Sequence, residues 1–358
     1  MTTITAPASL TSGRLPRYSA LGILLASWVI VGIVFLLLMM SGAMGEFSLV
    51  GTIFFGTILY AVAIGVLSMI VEGSRQARDR LMTALVLSAF ILALLPLISL
   101  LWTTISAGLP RFDITFFSQS MRNVVGDQPG GALHAIVGTL LVTGAATIIS
   151  VPIGLLTAIY LVEYGRGRLA RAITFLIDVM TGIPSIVAGL FAFALFALLF
   201  DSPGIRFGIG GSVALSVLMI PTVVRSCEEM LKLVPNELRE ASYALGVPKW
   251  LTISKVVLPT SIAGITTGIM LAISRVIGET APLLIIAGFT QSMNYDLFKE
   301  RMMTLPVFVY TQYANPGSDP QINLDRAWAG ALTLILIVMV LNLLARLIAR
   351  VFAPKIAR

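Results

Sequence analysis

A chain of 358 residues in which 57% are hydrophobic and only 11% charged carries far more apolar surface than a soluble globule of this size needs for its core, which excludes a water-soluble domain. Its net charge of +7 does not mark a nucleic-acid binder, because the basic residues fall in short segments between apolar runs and not on one face. The single cysteine, Cys227, excludes an internal disulfide and a thiol metal cage, and the single histidine, His134, reads as a helix-end residue.

A helix needs about 20 apolar residues to cross the hydrocarbon, and backbone groups there must pair within their own helix or a closed barrel. The long, unalternating Leu, Ile, Val and Ala runs therefore predict an all-α polytopic membrane protein with about eight spans. Arg14 and Arg17 precede the first, Ala20 to Met40, which is too long for a signal-peptide core and reads as an uncleaved span. The second runs from Leu49 to Val71 and the third from Leu81 to Thr103, closed by a Gly108-Leu109-Pro110 break. The fourth covers Ala132 to Tyr160. The fifth, Ala172 to Phe200, contains Gly182-Ile183-Pro184-Ser185, where proline removes a backbone donor and kinks a helix. The sixth runs from Gly208 to Arg225. The seventh, Val256 to Phe289, is longer than a bilayer requires and must tilt, project, or bend near Gly278 and Pro282. The eighth covers Ala327 to Phe352.

Charge orients these spans. With the N-terminus inside, 16 of the 24 lysines and arginines lie on cytoplasmic segments: Arg14, Arg17, Arg75, Arg78, Arg80, Arg166, Arg168, Arg171, Lys232, Arg239, Lys249, Lys255, Arg346, Arg350, Lys355 and Arg358. Only 6 lie outside, and Arg225 and Arg275 remain at membrane depth. The bias places both termini and the segment around Glu240 in the cytoplasm.

That segment reads Glu240-Ala241-Ser242, Gly246, then Val256-Val257-Leu258-Pro259. A helix-compatible stretch from Met230 to Leu245 has Pro235 near its start and Gly246 where it would stop. Helix, glycine turn and second helix predict a compact cytoplasmic knob. The chain has no Gly-Lys dipeptide, hence no phosphate-cradling loop of its own.

Arg275 costs about 3 kcal/mol at mid-span even on a lenient scale, so it is expected to face a bundle interior or an aqueous cavity. Glu279 is four residues on, on the same helical face, so it can pair with Arg275. Arg225 lies near the cytoplasmic end of its run and can snorkel. Guanidinium forks match oxyanion oxygens. A neighbouring carboxylate accepts a hydrogen bond from the protonated oxygen of hydrogen phosphate, which sulfate lacks. Thr280 offers a hydroxyl, either to an anion or to its own helix. The plain alternative is a structural ion pair between helices, with Arg225 as a membrane-edge anchor and the knob an ordinary amphipathic loop.

The spacing from Glu240 to Pro259 resembles the coupling loop of importer-type ABC permeases. Ile220-Pro221-Thr222-Val223-Val224-Arg225 and Arg275-Val276-Ile277-Gly278-Glu279-Thr280-Ala281-Pro282-Leu283 resemble the PstA family of phosphate-transport permeases. That resemblance covers roughly the last two-thirds of the chain. It implies a type I importer (MetI-like) core of six spans over residues 81–358, with the coupling segment at 226–255, and an N-terminal extension of two spans over 1–80. It further implies a bacterial inner-membrane subunit with a PstC-like permease partner, two PstB-like ATPases that hold ATP and Mg, and a PstS-like phosphate-binding protein. No cofactor is then expected in this chain. Arg225, Arg275, Glu279 and Thr280 are expected on the substrate path, and Glu240, Ala241, Ser242, Gly246, Leu258 and Pro259 in ATPase coupling. A permease for sulfate or molybdate, and a stand-alone channel or secondary transporter, remain the alternatives.

Overall fold

The computed structural model describes residues 15, 16, 18–42, 45–125, 128–315 and 319–352. Arg14, Arg17, Lys355 and Arg358, used above for orientation, lie outside the described residues. The elements are α1 (Ser19–Met40), α2 (Leu49–Val71), α3 (Ser74–Gly108), α4 (Ile114–Ser118), α5 (Leu133–Ile159), α6 (Gly167–Thr181), α7 (Ser185–Leu199), α8 (Gly208–Lys232), α9 (Asn236–Ala244), α10 (Lys249–Thr252), α11 (Leu258–Val276), α12 (Ala281–Ile286), α13 (Leu305–Ala314) and α14 (Pro320–Phe352). Two π-helical turns, Tyr160–Tyr164 and Ile253–Val257, extend α5 and lead into α11.

Among the described residues, seven helices are long and apolar enough to cross a membrane, and an eighth span results if the bent pair α6 and α7 is counted as one. The chain is thus an all-helical, multi-pass membrane protein. Three span boundaries differ from the expectation for identifiable reasons. The sixth run continues past Arg225 to Lys232, because Arg225, Glu228 and Lys232 at i, i+3 and i+4 spacing neutralise one another along one helix. The seventh stops at Val276 and restarts at Ala281, so the break falls around Gly278. The fifth is broken outright at Gly182-Ile183-Pro184, where α6 and α7 meet at 109°.

The chain divides into two compact units. In the first, which ends at Thr103, Tyr60, Ile64 and Ala84 form a small core with Ala20, Ile23 and Leu24. Most other apolar side chains of α1 point outward, as in a helix facing lipid. At the turn after α2, Glu72 accepts hydrogen bonds from Ser68 Oγ, Leu15 N–H and Arg80 Nη2, each at 2.7 Å. Burial raises the Glu72 pKa, but these hydrogen bonds and the Arg80 charge outweigh it and hold the carboxyl below its ordinary value.

In the second unit, from Thr104 on, α8 is the axis. Of its apolar window 67% is buried, against 22% for α5 and 28% for the helix ending at Val276. Small residues let its neighbours approach closely. Ser212 and Ser216 Oγ donate to the Val142 and Ala146 carbonyls of α5 at 3.0 and 3.4 Å. On α11, Gly268 lies where a Cβ would meet Ser226 Cβ of α8 at 2.5 Å. Cys227 and His134 are both buried in this core, His134 edge-on to Phe308.

Candidate functional site

At the end of α8 the chain builds the expected knob. Gly246 adopts φ +75°, a left-handed conformation that costs an L-residue about 1–2 kcal/mol, and it turns α9 into α10. Ser242, 7% exposed, shares a 2.8 Å hydrogen bond with Thr252 and ties the two helices together. Glu240, Ala241, Gly246 and Pro259 are exposed, whereas Leu258 is half-buried against the core. Leu238, Tyr243, Leu245 and Trp250 leave an apolar surface on the knob, Leu245 being 83% exposed.

The knob is clamped to the bundle through Glu163, in the π-helical turn that follows α5. Arg239 of α9 meets the Glu163 carboxylate at 2.9 Å, with the two side chains 12% and 5% exposed. The same guanidinium donates to the Val234 and Leu231 carbonyls at 2.6 and 3.0 Å. Lys249 of α10 donates to the Glu163 carbonyl and lies over the Tyr164 ring. Both knob helices are therefore fixed to the end of α5 by charge-assisted contacts.

On the bundle itself, Arg275 of α11 reaches Thr222 of α8, donating from Nη1 to Oγ1 at 3.3 Å. Arg225 lies three residues beyond Thr222, about one helical turn and about 5 Å along the same face. Two guanidinium-bearing residues are thus carried on adjacent turns of a packed helix pair. Their compensation differs. Arg225 is held by Asp178 of α6 and, at 2.9 Å, by Glu228, which also holds Lys232 at 2.7 Å. Arg275 is exposed and forms no ion pair among the described residues.

The spacing argument for an Arg275 to Glu279 pair does not hold in this structure. The helix ends at Val276, so position 279 is no longer one turn above position 275, and Glu279 is half-buried outside any helix. Thr280 caps the start of α12 by position, and its hydroxyl has no hydrogen bond among the described residues. Next to it, Pro282 packs against Gly189 of α7, where a Cβ would meet its Cα at 2.5 Å. Among the described residues no group of three or more His, Cys, Asp or Glu side chains is placed to hold a metal ion.

Asp178, Glu228 and Glu163 escaped the sequence reading. Asp178 had a signal: it is the one charged residue between Ala172 and Phe200, and the test that singles out Arg275 singles it out too. Glu163 had none, since an acid at the end of an apolar run is ordinary.

Residues 150–358 match the family described as binding-protein-dependent transport system inner membrane component. The phosphate transport system permease protein PstA 1 of Mycobacterium tuberculosis is 46% identical over 278 residues, 76% of this chain and 89% of that protein. The PstA permease of Haemophilus influenzae is 40% identical over 274 residues, 76% of this chain and 94% of that protein. A chain of the MetNI methionine ABC transporter, solved in inward-facing conformations, overlaps at a TM-score of 0.48 with 19% identity, covering 63% of this chain and 95% of that one. A family match over more than half the chain, together with these relatives, makes the chain a member of the binding-protein-dependent transport inner-membrane component family, on its PstA branch.

Proposed function

We propose that the chain is one permease subunit of an ATP-driven importer of inorganic phosphate, with Arg275 and Arg225 as the cations its anion passes. The observation that carries this reading is an arginine on α11, without a carboxylate partner among the described residues, that bonds Thr222 on α8, one turn before Arg225 on that helix. Two guanidinium forks so placed match the oxygens of a phosphate, and the named substrate of the PstA relatives supports that choice. Glu279 and Thr280 join them on the path, with Glu279 accepting a hydrogen bond from the protonated oxygen of hydrogen phosphate and so disfavouring sulfate. The site is weak by design, since a tight one would trap the anion.

The knob, through Glu240, Ala241, Ser242, Gly246, Leu258 and Pro259, takes its motion from an ATPase that receives the apolar surface around Leu245 and Trp250. The full assembly contains a PstC-like second permease, two PstB-like ATPases that bind ATP and Mg, and a PstS-like phosphate-binding protein. Both termini lie in the cytoplasm, following the positive-inside bias. Residues 1–80 form an extension and 81–358 the permease core. ATP binding closes the ATPases and opens the cavity outward, and hydrolysis resets it. Each ligand shifts that equilibrium only by its differential affinity for the two states.

The test is uptake of radiolabelled phosphate, sulfate and molybdate into vesicles carrying the whole assembly. Phosphate alone is expected to accumulate with ATP, and Glu279→Gln to narrow its advantage over sulfate. Preferential accumulation of another oxyanion, or accumulation without any ATPase, would overturn the reading.

A further inference from the structure

Arg225 has two carboxylate partners of different standing. Glu228 comes from the same helix, is 10% exposed at its side chain, and is itself held by Lys232. Asp178 comes from another helix, 47 residues away in sequence, and its side chain is 58% exposed. Glu228 is fixed between Arg225 and Lys232 along one helix, whereas Asp178 reaches Arg225 from a separate helix and is the more open of the two carboxylates. The helix that carries Asp178 is also lightly seated. Ile177 is the one buried residue among the 15 of α6, and α6 joins α7 only through the 109° break at Gly182-Ile183-Pro184. An element with so little buried contact, attached at a break, is the kind that moves at small cost.

A carboxylate and a phosphate offer a guanidinium the same paired oxygens. We infer that Asp178 is a place-holder for the substrate: it occupies Arg225 while the path is empty, the arriving oxyanion displaces it, and α6 is thereby released from α8. The inference rests on the reading that Arg225 lies on the anion's path. It gives the broken span a role, as a latch whose two states are set by which anion Arg225 holds. It also explains how an arginine with a closely paired acid remains available to a substrate, because a phosphate oxygen can take the place of the single Asp178 oxygen on Nη2 while Glu228 keeps Nη1.

The test uses the complete assembly in lipid, with spin labels attached to Phe175→Cys on α6 and Glu229→Cys on α8; both positions are exposed, and Cys227 is fully buried. Added inorganic phosphate is expected to lengthen the distance between the labels. Asp178→Asn is expected to show the longer distance without phosphate, and to raise phosphate efflux from loaded vesicles in the absence of the binding protein severalfold. Asp178→Glu should restore both. An unchanged distance and unchanged efflux in Asp178→Asn, in an assembly whose parent imports phosphate, would overturn the inference and leave the proposed function standing. If the parent assembly imports a different oxyanion, the proposed function falls, and the same labels tested with that anion decide the latch separately.

Discussion

The cations of the knob and the cations of the bundle are held in opposite ways. Arg239 is almost fully enclosed, spends its donors on the Glu163 carboxylate and two backbone carbonyls, and has no donor face left for a visitor. Arg225 and Arg275 are partly or largely exposed, one paired with an open acid and a buried one and the other with a single long hydroxyl contact. The difference teaches what each region can do. A part that transmits displacement must be stiff, and buried charge-assisted bonds make it so. A part that handles a passing anion must have donors whose present partners exchange easily.

Breaking the clamp should have the largest effect. Glu163→Gln strips Arg239 of its buried counter-charge, a loss on the order of 3 kcal/mol, and it is expected to abolish uptake while the ATPase still copurifies. Unchanged uptake would mean that α5 is not driven through Glu163. Gly246→Ala acts on the same region through backbone strain alone, since nothing surrounds the added methyl within 4 Å. About 1 kcal/mol of strain at a positive φ should weaken ATPase copurification several-fold without altering the fold of the bundle.

On the other side of the comparison, Thr222→Val removes the one hydrogen bond that Arg275 makes to another side chain among the described residues. The expected change in uptake rate is about threefold, the scale of a lone hydrogen bond, and its direction tells whether Thr222 orients the guanidinium or competes for it. The smallest effect belongs to a locked carboxylate outside both regions. The depressed pKa of Glu72 means that its stabilising contacts are present above the ordinary carboxylate range and are lost as pH falls through the lowered value. Protection of the Leu15 amide, its exchange rate relative to the intrinsic rate at each pH, should therefore be present at neutral pH and fall in acid, and Glu72→Gln should flatten that response.

Much of this arrangement was legible in the chain. Apolar run length gave the spans, and the glycine at 246 between two short polar helices gave the knob, because both depend on local physics. What failed depends on distance. The pairing of Arg275 with Glu279 assumed an unbroken helix through Gly278, and the chain stops its helix at Val276. Arg225 looked like a run's edge because the apolar count ends at a charge, yet i, i+3 and i+4 pairing carries the helix seven residues further. Asp178 meets Arg225 only because α6 and α7 break apart at Pro184, a bend whose angle no local pattern specifies.

The most direct test measures ATP hydrolysis and radiolabelled phosphate uptake in parallel, in vesicles carrying the whole assembly with either Arg275 or Arg275→Ala. If the bundle handles the anion and the knob handles the motion, Arg275→Ala should lose uptake while the ATPase remains bound and hydrolysing. Uptake that survives undiminished in Arg275→Ala would contradict the account.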